Sequence, residues 1–255
     1  MKKGTCKLCL TENVELLTKS HIIPQFLFKD MKDINNSFVL IDTNKFVKGR
    51  RQHVKFQRDA FHQSDILCEK CDNVLLKKYE DYLKLTFHDT KKSVSRPCFV
   101  GKIKDINGLS VLLIENIDYK LYKLGFLSIL WRASISDLPF FNNVELGPHE
   151  ELISQMLFKG NPLDESDYPF ITSILNTKND LHQIILPVTK FKMEKMTHYR
   201  FVINGIDLIF MIGSKNIEFN QKLLDFVPNC KSKLKVIMHK DNYGKDMFFS
   251  FLKRI

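Results

Sequence analysis

Cys6 and Cys9 form one Cys-x-x-Cys hook, and Cys68 and Cys71 form a second. Two such pairs supply the four thiolates that a tetrahedral Zn²⁺ takes. A site closed by four sulfurs leaves no position for water, so the metal it predicts is structural. An ion there ties residue 6 to residue 71. The run Ser20-His21-Ile22-Ile23-Pro24 lies between the hooks, which sets His21 on a small rigid platform. Asp72 and Asn73 follow the fourth cysteine directly. Both are favoured helix caps, and both carry oxygens that a hard cation accepts.

The order of these pieces resembles the HNH nuclease family, in its zinc-stapled branch of the ββα-metal fold. The matching residues are Cys6-Lys7-Leu8-Cys9, then Ser20-His21-Ile22-Ile23-Pro24, then Leu67-Cys68-Glu69-Lys70-Cys71-Asp72-Asn73. The resemblance covers about the first 90 residues. It implies that His21 is the general base of a phosphodiester hydrolysis. It also implies a second ion, Mg²⁺ or Mn²⁺, at the start of the helix after the fourth cysteine. Asp72 takes the ligand position there, with Asn73 as the alternative if the register slips by one. Ser20 stands where many members carry a carboxylate. Asp65 is the candidate to replace it, and Gln63 and Asp65 lie nearest to the position of the middle Asn of the family name. Glu80, eight residues beyond Asp72, is about 12 Å up an ideal helix and is expected to pair with Lys84 instead.

Composition supports a nucleic-acid partner. The chain of 255 residues carries a formal net charge of +10. Of this, +6 falls in residues 1–92. Lys45, Lys48, Arg50, Arg51, Lys55 and Arg58 lie in a run with no acid, a candidate strip for phosphates, with double-stranded DNA the expected target. His53 lies within it. No apolar run reaches the ~18 residues of a membrane span. The N-terminus runs straight into the first hook with no apolar leader, so a cytoplasmic location is expected. Thiols there stay reduced, which favours metal ligation over disulfides. Cys98 and Cys230 have no motif partner and read as small buried hydrophobes.

The elements that must position these groups make an α+β protein. A zinc-stapled, HNH-like ββα-metal domain is expected over residues 1–92. A polar boundary near Lys91–Pro97 leads to a mixed α+β domain over 98–255, with a recognition or regulatory role and a surface for a partner protein or a second copy. In the first unit a strand begins at residue 20 and bends at Pro24. An insertion holds a strand at Phe38–Ile41, and a return strand ends near Leu67. Apolar spacing from Val74 to Phe87 predicts a helix. In the second unit strands are expected near 98–104, 109–115, 184–190, 198–203, 206–212 and 234–239. Helices are expected at about 119–136 and from Pro148. Asn107-Gly108 and Asn204-Gly205 are hairpin turns by composition. The functional expectation is a metal-dependent endonuclease, of the kind found among bacterial defence or restriction effectors. The alternative is a catalytically inactive zinc-stabilised module that binds nucleic acid.

Overall fold

The structure, a computed structural model, describes residues 2–31, 38–41, 54–87, 99–101, 104–106, 109–175, 185–193, 195–213 and 226–239. Lys45, Lys48, Arg50, Arg51, His53, Cys98 and the 91–97 boundary lie outside them. Among the described residues the fold is mixed α+β, with one large sheet and three α-helices.

The N-terminal segment is made of short ladders. Strands β1 (Lys2–Gly4) and β2 (Val14–Leu16) pair around the first hook. Strand β3 is only Ser20–His21, and it pairs with β6, His62–Gln63, in the register Ser20↔Gln63 and His21↔His62. The strand expected to begin at residue 20 and bend at Pro24 therefore ends at His21, and Gln25–Met31 forms a 3-10 helix. Strands β4 (Phe38–Ile41) and β5 (Val54–Gln57) make the insertion hairpin. Lys55 lies on β5, and Arg58 follows it and is exposed. The helix after the second hook begins with a wide π-turn, Lys70–Leu76, and continues as α1, Lys77–Phe87.

The second segment carries an eight-stranded sheet. Its strands are β7 (Phe99–Val100), β8 (Lys104–Ile106), β9 (Leu109–Glu115), β10 (Phe170–Leu175), β11 (Ile185–Met193), β12 (Met196–Ile203), β13 (Ile206–Ile212) and β14 (Lys233–His239). The order is β11-β12-β13-β10-β14-β9-β7, with β8 also on β9. Only the β10–β14 pair is parallel among the described ladders. Asn204 and Gly205 both take positive φ (46° and 78°) between Ile203 and Ile206, as the sharp turn of this hairpin requires. Pro187 sits on the edge strand β11, where the register slips between Leu186 and Thr189. A residue with no N–H is tolerated at such a place.

Helix α2, Tyr119–Ser134, buries every residue from Tyr122 to Ala133. A helix that is apolar on nearly all sides belongs in the centre of a fold. It lies between α1 and the third helix, α3 (Pro148–Lys159). Gly125 permits the approach of α1, because a Cβ there would meet Leu83 Cδ1 at 2.8 Å. Tyr79 Oη donates to the Leu157 carbonyl (3.0 Å), and Tyr82 Oη accepts from the Asp118 amide (2.6 Å). One hydrophobic cluster thus runs from the hooks through α2 into the sheet, including Cys6, Leu83, Trp131 and Phe170. Cys230 departs from expectation: it is exposed, and its thiol donates to Glu165 (3.1 Å). No described helix is long and apolar enough to cross a membrane.

Candidate metal centre and the His21 strand

The two hooks are brought together by the backbone before any ion is considered. In the first, the Leu10 amide donates to the Cys6 carbonyl (2.9 Å), and Leu10 takes a positive φ of 58°. In the second, the Cys71 and Asp72 amides both donate to the Cys68 carbonyl (3.1 and 3.0 Å). The Lys7 amide reaches the Ile66 carbonyl (2.9 Å), and the Leu17 amide reaches that of Leu67 (2.9 Å), so one hook is sewn to the other. The four sulfurs lie within 4.8 Å of one another, and Cys9 Sγ is 3.9 Å from Cys68 Sγ. Bonds of about 2.3 Å to a tetrahedral zinc place sulfurs about 3.8 Å apart, whereas a disulfide needs about 2.05 Å. The spacing fits a shared ion and no cross-link. The Cys6 thiol is held down to about 4, first by a hydrogen bond from Cys71 and then by N–H groups of the hooks, against the effect of burial. Cys71 moves the other way, because it is the donor in that bond. The four cysteines can therefore hold a structural metal such as zinc.

His21 is half-buried on β3 and faces His62 across the ladder, with ring centroids 6.4 Å apart and edge to face. His62 Nδ1 lies 3.0 Å from the Ala60 carbonyl. Burial pushes the His21 imidazole below its ordinary value. Glu80 opposes this, while Arg132 and His62 reinforce it. The neutral ring that a base requires at pH 7 is thus the favoured state.

Asp72 sits in the π-turn and is pushed up to about 6, first by burial. The positive charge of Arg132 draws it down, the negative charge of Glu80 raises it, and the Ser20 hydroxyl draws it down. The Ser20 oxygen is itself fully buried and reaches no full hydrogen bond. Asn73 is exposed. Asp65 occupies a left-handed turn (φ 63°), with its amide on the Leu17 carbonyl (2.9 Å), which places its backbone beside the strand leading to Ser20. Among the described residues, the four cysteines are the one group of three or more His, Cys, Asp or Glu side chains close enough to share an ion.

Two residues central to this site come from outside the motif. Glu80 does not pair with Lys84. Its carboxylate lies 2.6 Å from Arg132 Nη1, and the Arg132 side chain is 0% exposed. Arg132 Nη1 also donates to the His21 carbonyl (2.6 Å). Asp72 and Glu80 are eight residues apart, yet close enough in space for the charge of Glu80 to be felt at Asp72. The signal for Arg132 was present: it is a charge near the end of a largely apolar helix, and buried charges are paired. Gln63, on the return strand, accepts from Ser136 Oγ (2.9 Å) and the Asp137 amide (2.8 Å) and donates to Asp137 Oδ2 (2.8 Å). No protein-family model matches the chain, and no characterised protein or solved structure proves similar to it.

Proposed function

We propose that the chain is a metal-dependent endonuclease of the HNH type, with double-stranded DNA as its substrate. In this reading Cys6, Cys9, Cys68 and Cys71 hold a structural zinc. The observation that supports it most is local. The second hook opens the helix that carries Asp72, close to Ser20 of the His21 strand, and both Asp72 and His21 feel the charges of the Arg132–Glu80 pair.

Asp72 is the carboxylate that would hold the catalytic ion, with Glu80, whose charge is felt at Asp72, the candidate for a second one. Mg²⁺ takes one or two carboxylates and keeps several waters. Such an ion supplies Lewis-acid stabilisation of the charge at phosphorus and on the leaving oxygen. The chain's own residues do the rest. His21, neutral at pH 7, accepts the proton of the attacking water. Asp72 is ionised at that pH and ready to bind a cation. Arg58 and the basic residues from Lys45 to Lys55 contact phosphates. The second segment serves recognition, regulation or association with a partner or another copy. A role in bacterial defence or restriction is the biological setting we favour.

One observation favours a second reading, a zinc-stabilised binding module without cleavage: three donors converge only at the cysteines among the described residues. Nicking of supercoiled plasmid with Mg²⁺, Mn²⁺ or EDTA separates the two. The nuclease reading expects cleavage that EDTA abolishes. It also expects His21→Ala and Asp72→Ala to lose on the order of 10²-fold or more in rate while keeping DNA binding. Undiminished cleavage by purified His21→Ala protein would sink it.

A further inference from the structure

We propose that Arg132 is the positioning residue of the His21 site, so that the site is incomplete without the second segment of the chain. This rests on the nuclease reading. Strands β3 and β6 are two residues each. A ladder so short does not hold itself in water, so its aim must be fixed from outside. Both strands are fixed from one place, the C-terminal end of α2. Arg132 Nη1 donates to the His21 carbonyl (2.6 Å), and Ser136 and Asp137 grip Gln63 on the opposite strand.

The guanidinium is held rigidly on its other sides. Nη1 is also 2.6 Å from Glu80 Oε1, Nε donates to the Ser128 carbonyl (3.3 Å), and Nη2 donates to Ser128 Oγ (3.2 Å). Ser128 Oγ in turn donates to the Gly125 carbonyl (2.7 Å). Arginine is suited to this work, because its planar fork serves several acceptors at once from a fixed geometry. The contact is to the backbone of His21 and not to its ring. Arg132 therefore sets where the imidazole stands and touches no reacting atom. Misplacement of a catalytic group by about 1 Å can cost on the order of 10²-fold in rate, and loss of this anchor permits movement on that scale.

The test is steady-state nicking of supercoiled plasmid by the full-length, zinc-loaded chain. Arg132→Ala is expected to lower kcat by about 10²-fold and leave KM for plasmid close to wild type. Millimolar guanidinium should restore part of kcat in Arg132→Ala and none in His21→Ala. A merely structural role would not produce that pattern. If Arg132→Ala does not fold, Arg132→Lys keeps the charge for Glu80 and loses the fork, and the same fall in kcat is expected. Wild-type kcat in either folded variant, or a loss confined to KM, would overturn the inference. A wild-type chain that fails to nick plasmid with any divalent ion tested would instead end the nuclease reading and this inference with it.

Discussion

Glu80→Ala is expected to destabilise the protein more than Arg132→Met does, although the two residues are partners in one ion pair. The difference comes from what each change leaves behind. The Arg132 side chain is 0% exposed and that of Glu80 is 22% exposed. Removing Glu80 leaves a cation in the interior with only neutral acceptors in contact, the His21 and Ser128 carbonyls and Ser128 Oγ. Breaking a buried pair from one side costs about 3–5 kcal/mol. Asp72 lies close enough to feel Arg132 and offsets part of this, which places Glu80→Ala near the lower end, about 3 kcal/mol. Removing Arg132 leaves a carboxylate that already has a face toward water. The cost is then mainly the unsatisfied His21 carbonyl, about 1–2 kcal/mol, since Met fills much of the volume. Glu80→Leu combined with Arg132→Met should cost less than Glu80→Ala alone, because an apolar pair replaces a lone charge. Urea unfolding of zinc-loaded protein, followed by circular dichroism at fixed zinc, measures these differences. With a slope of about 3 kcal/mol/M, 3 kcal/mol moves the midpoint by about 1 M. A Glu80→Ala protein within about 0.5 kcal/mol of wild type, or one more stable than Arg132→Met, would refute the reasoning.

Metal analysis of protein purified without added zinc should find about one equivalent, and Cys68→Ser should lose it together with stability, because binding of a structural zinc is folding free energy; wild-type protein free of metal yet fully folded would count against the site. Replacing Arg50 and Arg51 with Ala should weaken binding to all duplex DNA alike and make the slope of log affinity against log salt shallower by roughly one per lost contact; an unchanged slope would remove the run from the interface. Lys123 is 1% exposed and is drawn down to about 8, first by burial, with Asp167, Asp164 and Glu165 opposing. Its native form binds the proton less tightly than the unfolded chain, so stability should rise as pH climbs from about 8 to about 10.5, by up to about 3 kcal/mol. Lys123→Met should remove that rise, and an equal rise in the variant would assign it to other groups.

What was legible in the sequence was what local chemistry dictates. Four thiols in two hooks have few uses, and their spacing alone brings out the cluster. Asn204-Gly205 fixes a hairpin because both residues adopt positive φ at little cost, and the strands on either side follow within a residue or two. Helices α2 and α3 were visible for similar reasons, α3 opening on Pro148 and closing on a left-handed Gly160. Strand β10, Phe170–Leu175, was not expected. It is a central strand between β13 and β14, with four of its six residues buried. A strand covered on both faces loses the alternation that marks a half-exposed one.

The groups around His21 were harder to read because they depend on distance in the chain. Lys77 and Asp81 do form the i,i+4 pair that helix geometry offers, at 3.0 Å, on the exposed face of α1. Glu80, one residue earlier, points inward, and its partner lies fifty-two positions away on another helix. No local rule finds that pair. The constraint that does find it is electrostatic: Arg132 sits in a helix whose other buried positions are almost all apolar, and a guanidinium cannot stay there without an anion and several acceptors. A search of the sequence from Arg132 outward would have asked which carboxylate could reach it. Of those near the second hook, Glu80 is the one on the inner face of α1, beside Tyr79 and Leu83. The same question leads to the His21 carbonyl, because a buried fork with five donors needs more acceptors than one carboxylate offers. The hooks tell where the metal goes. The buried guanidinium tells which distant helix holds the His21 strand in place.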